Sequence, residues 1–482
     1  MIALELLILV PLAGVVACLV AGRFAPSFAR VVALAATLGF AAALLSLAGE
    51  GIFTGQALSG VRVAQESVPF WDLRIDGLSA PLLVLTALLG PVAVLASWKV
   101  EERPAVHHAL LLGLQAALAG VFLAADVVLL YVFWEAVLIP MYFLIGVWGH
   151  EDRRHAAMKF FVYTFAGSAL MLVGILMAIF TIGATSIDSL VAGRVALPDP
   201  MVVFWLLAAG MLVKLPAFPL HTWLPDAHVE APTAGSILLA GALLKMGGYG
   251  LLRLAIPIAP GVFAEVSWIF AVLGGVGIVY GAAVALVQAD LKRLVAYSSV
   301  AHMGFVLLAL STGGERGFSA AMLVMVSHGA IAPLLFLLVG QLYDRAHTRE
   351  IARFGGLGSL TPRWGTALTF AALASLGLPG LSGFPGEFLA VIEGFGAWSW
   401  PITLVMPGIV LAAAYNLRAV REVLHGEVAG EWAGIRDLTA GDLIPVGLLV
   451  AAVIVLGVWP RLVLAMTGDV FAALALVVGT GA

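Results

Sequence analysis

Charge is scarce in this sequence. Only 11% of its 482 residues are Asp, Glu, Lys or Arg, against 62% that are hydrophobic. A soluble domain carries about 25% charged residues, and a water-exposed fold of this length could not hide so much apolar surface. The bilayer must therefore be the solvent for most of the chain. There is one cysteine, Cys18, so an intramolecular disulfide and any thiolate-held cluster are excluded. Cys18 reads as a small apolar residue of the first span. A net charge of -4 with no basic run argues against nucleic-acid binding. No phosphate-binding loop, dinucleotide fingerprint, haem-attachment motif or nucleophile elbow occurs, so no cofactor is expected and the chain has no evident means of oxidising a substrate or hydrolysing ATP. The amino terminus, MIALELLILVPLAGVVACLV, carries Glu5 and no positive stretch. It reads as a retained first span and not as a cleaved leader.

Long apolar runs are what is there. With about 20 residues needed per crossing, the sequence divides into about fourteen spans near 2–22, 31–48, 77–98, 107–124, 126–147, 158–182, 201–224, 233–254, 262–286, 291–310, 317–341, 364–392, 401–420 and 441–463. The fold class expected is an all-α polytopic membrane protein of one transmembrane domain, 1–482, with no separate soluble domain. Lys and Arg concentrate in the loops after odd-numbered spans. The other side holds Arg62, Arg74, Arg194, Arg253, Arg316 and Arg461. Positive loops stay in the cytoplasm, so both termini are expected on the periplasmic side of a bacterial inner membrane.

Two spans are interrupted by proline. The seventh contains Lys214-Leu215-Pro216-Ala217-Phe218-Pro219, and the twelfth contains Leu378-Pro379-Gly380-Leu381-Ser382-Gly383-Phe384-Pro385-Gly386. Proline removes a ladder donor and clashes with the preceding turn. Broken backbone at membrane depth survives only where protein or water satisfies it. Paired broken helices point to an inverted-repeat transporter and its ion site. Five spans separate the two breaks, which fits a first repeat over 107–254 and a second over 262–420, flanked by 1–98 and 441–463.

An ionisable side chain near mid-bilayer costs at least ~2.5–3.5 kcal/mol, so each needs a reason. Glu135 lies in the fifth span, Lys214 before the break of the seventh, Lys245 in the eighth and Glu387 after the break of the twelfth; His221, His302 and His328 lie in or near spans. Two opposite charges ~8 Å apart at an effective dielectric near 20 couple by roughly 2 kcal/mol. That shifts a protonation equilibrium by more than about tenfold. Glu135 and Lys214 form the expected coupled pair. Lys245, His302 and His328 form a lateral relay, since imidazoles titrate in the right range to pass protons, and Glu387 is its far end. His221 is a candidate uptake group. The competing static reading is that these groups only bridge helices. Gly247 and Gly248 are expected to serve close packing. In His221-Thr222-Trp223-Leu224-Pro225-Asp226-Ala227-His228-Val229-Glu230 the ligand types suit zinc, but the spacing matches no standard helix-borne site, so it reads as a polar loop and no metal is expected. Asp126, Glu151, Asp152, Glu265 and Glu350 read as solvated charges at span ends.

The stretches YVFWEAVLIPMYFLIGVWG, LVKLPAFPLHTWLPDAHVEAPTAGSILLAGALLKMGGYGLLRL, DLKRLVAYSSVAHMGFVLLAL and GLPGLSGFPGEF closely resemble the subunit M family of bacterial NADH:quinone oxidoreductase, from about residue 70 to 425. The resemblance implies fourteen helices in two inverted five-helix repeats with helices seven and twelve broken. It implies a proton channel with no redox cofactor of its own, in which the family's glutamate falls on Glu135, its lysines on Lys214 and Lys245, its exit glutamate on Glu387 and its histidines on His221, His302 and His328. It also implies L- and N-type subunits as partners, the bilayer as surroundings and protons as substrate. Sister subunits L and N and the D subunit of Mrp-type antiporters usually carry lysine where Glu387 stands, so Glu387 favours subunit M. An Mrp-type antiporter subunit, a subunit of an energy-converting hydrogenase and a purely structural scaffold are the alternatives.

Overall fold

Proline opens five of the described helices, which fits its missing N–H and fixed φ: Pro26–Thr54, Pro104–Leu123, Pro200–Lys214, Pro260–Leu286 and Pro362–Ser375. The computed structural model describes residues 4–54, 61–64, 70–192, 197–399, 403, 405–428 and 430–480; Arg194, counted above among loop charges, lies outside them. The chain is nearly all helix, as in lipid it must be, because a helix satisfies every backbone group within its own segment. Among the described residues, 11 helices are long and apolar enough to cross a membrane, and Ala80–Ala96 and Pro200–Lys214 are shorter apolar helices.

Each expected span contains helix among its described residues, but the end of the chain differs from expectation. The run 441–463 covers the helix Ala440–Val458 and only the start of a further helix, Arg461–Thr480, parted from it at Trp459-Pro460. Hydropathy alone would make the second a further span. Its contacts say otherwise. The Met466 carbonyl abuts Gly77, Phe471 packs on Phe318 with ring centroids 6.1 Å apart, and Val478 lies against Gly313. Gly77, Gly313 and Phe318 all sit at the starts of odd-numbered spans, so this helix runs across one end of the bundle. On the same side, Val61–Ala64 and Asp72–Ile75 form an antiparallel hairpin with Val61 opposite Ile75; no strand was expected there.

The core lies in three helices. An 18-residue stretch of Thr233–Ile258 and one of Glu315–Ala346 are buried throughout, and Leu291–Leu310 is nearly so. These carry Lys245, His328 and His302. Leu6–Phe24, Arg153–Ile182 and Ala440–Val458 are peripheral and turn residues such as Val16, Phe180 and Ile454 outward, as lipid contact demands. Cys18 is buried and its thiol donates to the Ala29 carbonyl at 3.3 Å, in keeping with a packing role.

Three of the charges read as loop residues are not solvated. Asp126 is 4% exposed and caps Val127–Ala136, accepting from the Val128 and Leu129 amides at 2.8 and 3.2 Å. Arg253 lies inside Thr233–Ile258 and is 8% exposed. Lys292 is buried and donates to the carbonyls of Val229 and Ala231 at 3.3 and 2.5 Å. All three stand within two residues of the end of an expected span, where a charge is read as reaching water.

Capping of this kind is typically worth ~1 kcal/mol. Asp126→Ala should lower the thermal unfolding midpoint of the detergent-solubilised protein by an amount equivalent to about 1 kcal/mol, and Asp126→Asn should retain most of the stability. An unchanged midpoint for the alanine variant would show that the cap is idle.

Candidate proton relay

The break of the seventh span follows from its prolines. Pro216 cannot donate to the Leu212 carbonyl, and Ala217 donates there instead at 2.9 Å. That leaves the Val213 carbonyl without its usual partner, and the Trp223 indole donates to it at 3.0 Å. The helix therefore stops at Lys214 and resumes at Trp223. A cation on the last turn meets the negative end of the helix dipole. The Lys214 ammonium is buried with no hydrogen-bond partner, 5.7 Å from the Phe160 ring centroid.

Glu135 sits beside another proline irregularity. Pro140 has no N–H for the Ala136 carbonyl, and the helix turns at Val137 between Val127–Ala136 and Leu138–Trp148. Its Oε1 is buried and unpartnered. The Glu135 charge acts on Lys214, yet the two make no ion pair within 4.0 Å. The expected pair is a coupling through space and not a contact, which leaves both groups free to change partner.

Lys245 lies between two π-helical segments, Leu239–Leu243 and Leu251–Ala255. Such segments are rare and recur at functional sites. Here the effect is local: the Leu244 amide bonds to Leu239 and not to Ala240, and the released Ala240 carbonyl accepts from the Lys245 ammonium at 2.5 Å. The same ammonium is 2.7 Å from Nδ1 of His328. Pro333, inside Glu315–Ala346, deprives the Gly329 carbonyl of its donor one residue after His328. Gly247 and Gly248 do serve close packing. A Cβ on Gly247 would strike the backbone of Met211 and Leu215, and one on Gly248 the Met325 sulfur, so the turn bearing Lys245 runs against the turn bearing Lys214.

From His328 the line continues. Its ring centroid is 5.4 Å from that of His302, and its Nε2 has no partner. Between them is a cavity of about 10 Å³ lined by Ser298, His302, Ser327, His328, Ser375 and Glu387, about the room one water needs. His302 Nδ1 is 2.7 Å from Glu387 Oε1, and its Nε2 is 3.3 Å from the Ser375 hydroxyl. Asn416 donates to that hydroxyl at 3.4 Å. Glu387 and Ser375 stand on opposite sides of the twelfth-span break, where Pro362–Ser375 ends and Gly383–Trp398 begins. The turn between them uses Gly380 at φ +91°, a conformation glycine adopts without a Cβ penalty.

His221 is buried and separate from this line. It packs at 5.1 Å from Tyr280 and 5.7 Å from Phe218, and its Nδ1 is unpartnered. Below it Asp226 joins Lys159 at 2.6 Å and Arg293 at 3.4 Å.

His228, passed over above as part of a polar loop, is fully buried in the short helix Trp223–Glu230. Its ring stacks 4.3 Å from that of Phe336, and neither nitrogen has a partner. A cavity of about 680 Å³ opens at the positively charged end and is lined by Lys99, His107, His150, Lys292, Asp344 and Arg349. His150 lies there between spans; burial, then the Lys292 and Arg349 cations, push its imidazole down to about 3. It is neutral at physiological pH. Among the described residues no group of three or more His, Cys, Asp and Glu side chains converges as a metal site.

Residues 124–413 match the family described as NADH:quinone oxidoreductase/Mrp antiporter, transmembrane. The chain is 42% identical over 467 residues to the NADH-quinone oxidoreductase subunit M of Rhodobacter capsulatus, covering 93% of this chain and 90% of that protein. Its fold is similar to a chain of respiratory complex I from Thermus thermophilus, with TM-score 0.89 and 30% identity, over 99% of this chain and 100% of that one. It is similar in fold alone to a chain of the Mrp complex from Dietzia sp. DQ12-45-1b, with TM-score 0.85 and 20% identity, over 98% and 97%.

The contact between His302 and Glu387 can be checked by itself. Hydrogen bonds to a charged group contribute about 1.5–3 kcal/mol. A double-mutant cycle of His302→Asn and Glu387→Gln, read by thermal stability, should give a coupling of that order. Strict additivity would mean that the two side chains do not meet.

Proposed function

The chain belongs to the NADH:quinone oxidoreductase/Mrp antiporter family of membrane subunits, and on that premise we propose that it moves protons in the membrane arm of an NADH:quinone oxidoreductase without itself carrying out redox chemistry. The observation that carries this reading is the line Lys245–His328–His302–Glu387. Four ionisable side chains from four helical segments stand in sequence across the buried centre, with two contacts at 2.7 Å and one gap the size of a water. A static scaffold would have no use for a His328 Nε2 left unpartnered beside such a gap.

The chemistry follows from the hydrogen bonds. The Lys245 ammonium donates to Nδ1 of His328, so the neutral imidazole carries its proton on Nε2 and presents it to the gap. A proton passed from Lys245 to Nδ1 releases the one on Nε2 toward His302, and the ring then returns to its first tautomer. His302 hands the proton to the Glu387 carboxylate through Nδ1. Lys214 and Glu135 act upstream: as the Glu135 carboxylate gains or loses a proton, it changes the cost of a charge on Lys214. His221 and His228 supply the side facing the positive loops. The Lys245 charge also acts on His228, as does that of Lys292 at the edge of the large cavity.

This reading includes two inverted repeats over 107–254 and 262–420, both termini on the periplasmic side of the bacterial inner membrane, and L- and N-type subunits as neighbours. The energy arrives from those neighbours. An Mrp-type antiporter role is the second reading. It is less favoured because the close sequence match is to a relative named subunit M, and because Glu387 stands where the antiporter subunits usually have lysine.

Lys214→Ala, Glu135→Ala and Lys245→Ala should each lower NADH-driven proton pumping of the reconstituted complex by more than about tenfold, the effect of losing roughly 1.4 kcal/mol at a rate-limiting step, with normal assembly. Quinone-linked NADH oxidation should fall with pumping. Full pumping in the assembled variants would return the chain to a scaffold role.

A further inference from the structure

Lys245 has two neighbours along its own helix that the relay does not use. Tyr249 and Arg253 follow one and two turns later, toward the end of the bundle poor in lysine and arginine. The Tyr249 hydroxyl donates to the Phe122 carbonyl at 3.2 Å and accepts from Nε of Arg253 at 3.1 Å. The Arg253 guanidinium binds Asp76 in a two-pronged pair, 2.7 Å to Oδ2 and 2.6 Å to Oδ1. Asp76 also pairs with Arg74 at 3.2 Å and accepts from the Leu78 and Ser79 amides, each at 3.1 Å. Arg74 in turn holds Asp188 through contacts of 2.7 and 2.9 Å. The column starting at Lys245 thus ends in the hairpin strand Asp72–Ile75 and the start of Ala80–Ala96.

We propose that Arg253, held in place by Asp76, is a fixed electrostatic barrier that stops a proton on Lys245 from leaving toward this end of the bundle and so directs it to His328. The inference rests on the reading of Lys245 as a proton carrier. A guanidinium keeps its charge at any physiological pH and has no acceptor, so it neither takes a proton nor passes one on. A buried arginine in a pore repels protons and other cations electrostatically. Tyr249 cannot bridge past it, because its hydroxyl is already committed in both directions. Asp76 cannot act as the outlet: although burial alone would raise its proton affinity, the Arg253 charge and hydrogen bonds, then Arg74, hold the carboxyl at about 2. A plain structural staple would need only the pair. The barrier needs the cation specifically, on the side facing Lys245.

The two roles separate by which partner is removed. The complex is reconstituted into sealed vesicles, and passive proton flux down an imposed pH gradient is measured without turnover. Arg253→Met should conduct protons several-fold faster than the unsubstituted complex. Asp76→Asn, which loses the pair but keeps the cation, should stay tight. Adding Lys245→Ala to Arg253→Met should close the leak, since the leak runs through that lysine. The proposal is overturned if assembled Arg253→Met vesicles are as tight as the unsubstituted ones, if Asp76→Asn leaks as much, or if Lys245→Ala leaves the leak open. If Arg253→Met does not assemble, Arg253→Gln takes its place with the same outcomes. The relay fails independently: Lys245→Ala alone would then pump normally, whatever the leak.

Discussion

A charge carried into hydrocarbon must find a partner or be reachable by water, and the architecture of this chain is a set of answers to that demand. Isolated, each such group costs several kcal/mol, and the fold meets the cost in two ways. At Arg253 and Asp76 the answer is permanent, with a two-pronged pair and further donors saturating the carboxylate. At Lys214, Glu135, His228 and His328 it is left incomplete, and polar atoms remain buried without hydrogen bonds. Incomplete satisfaction is unstable in a static structure. It is useful in one where the missing partner is a proton or a water that comes and goes.

Helix irregularities place these groups. Pro216 and Pro379 break two spans, Pro140 turns a third beside Glu135, and Pro333 interrupts the ladder beside His328. The π segment Leu239–Leu243 before Lys245 acts in the same way without proline. Each irregularity frees a carbonyl or reorients a turn at membrane depth. The neighbouring side chains repair the loss, as the Trp223 indole does for Val213 and the Lys245 ammonium does for Ala240. Backbone defect and functional charge therefore occur together because each needs the other.

Much of this was legible in the sequence. Prolines and ionisable residues inside apolar runs stand out against hydrocarbon, which is why Glu135, Lys214, Lys245, His302, His328 and Glu387 are legible in the sequence; the order Lys245, His328, His302, Glu387 is not, because packing between helices sets it. The same contrast failed at span ends. Arg253, Lys292 and Asp126 lie where apolar runs stop, so their burial was invisible and they read as loop charges. The first π segment, Leu239–Leu243, holds no proline that would announce it. The final helix, Arg461–Thr480, lies almost wholly beyond the last expected span, which stops at 463. The Glu135 charge acts on Lys214 but the side chains do not touch, and separation is something residue spacing on two different helices cannot supply.

The central claim is that a proton travels through His302 to Glu387 during turnover. Infrared difference spectroscopy on the reconstituted complex, started by NADH, reads this directly through the carboxyl stretch. A protonated-carboxyl band should appear during turnover and be missing from the Glu387→Gln complex. A spectrum identical with and without that substitution, in a complex that still pumps at full rate, would contradict the account.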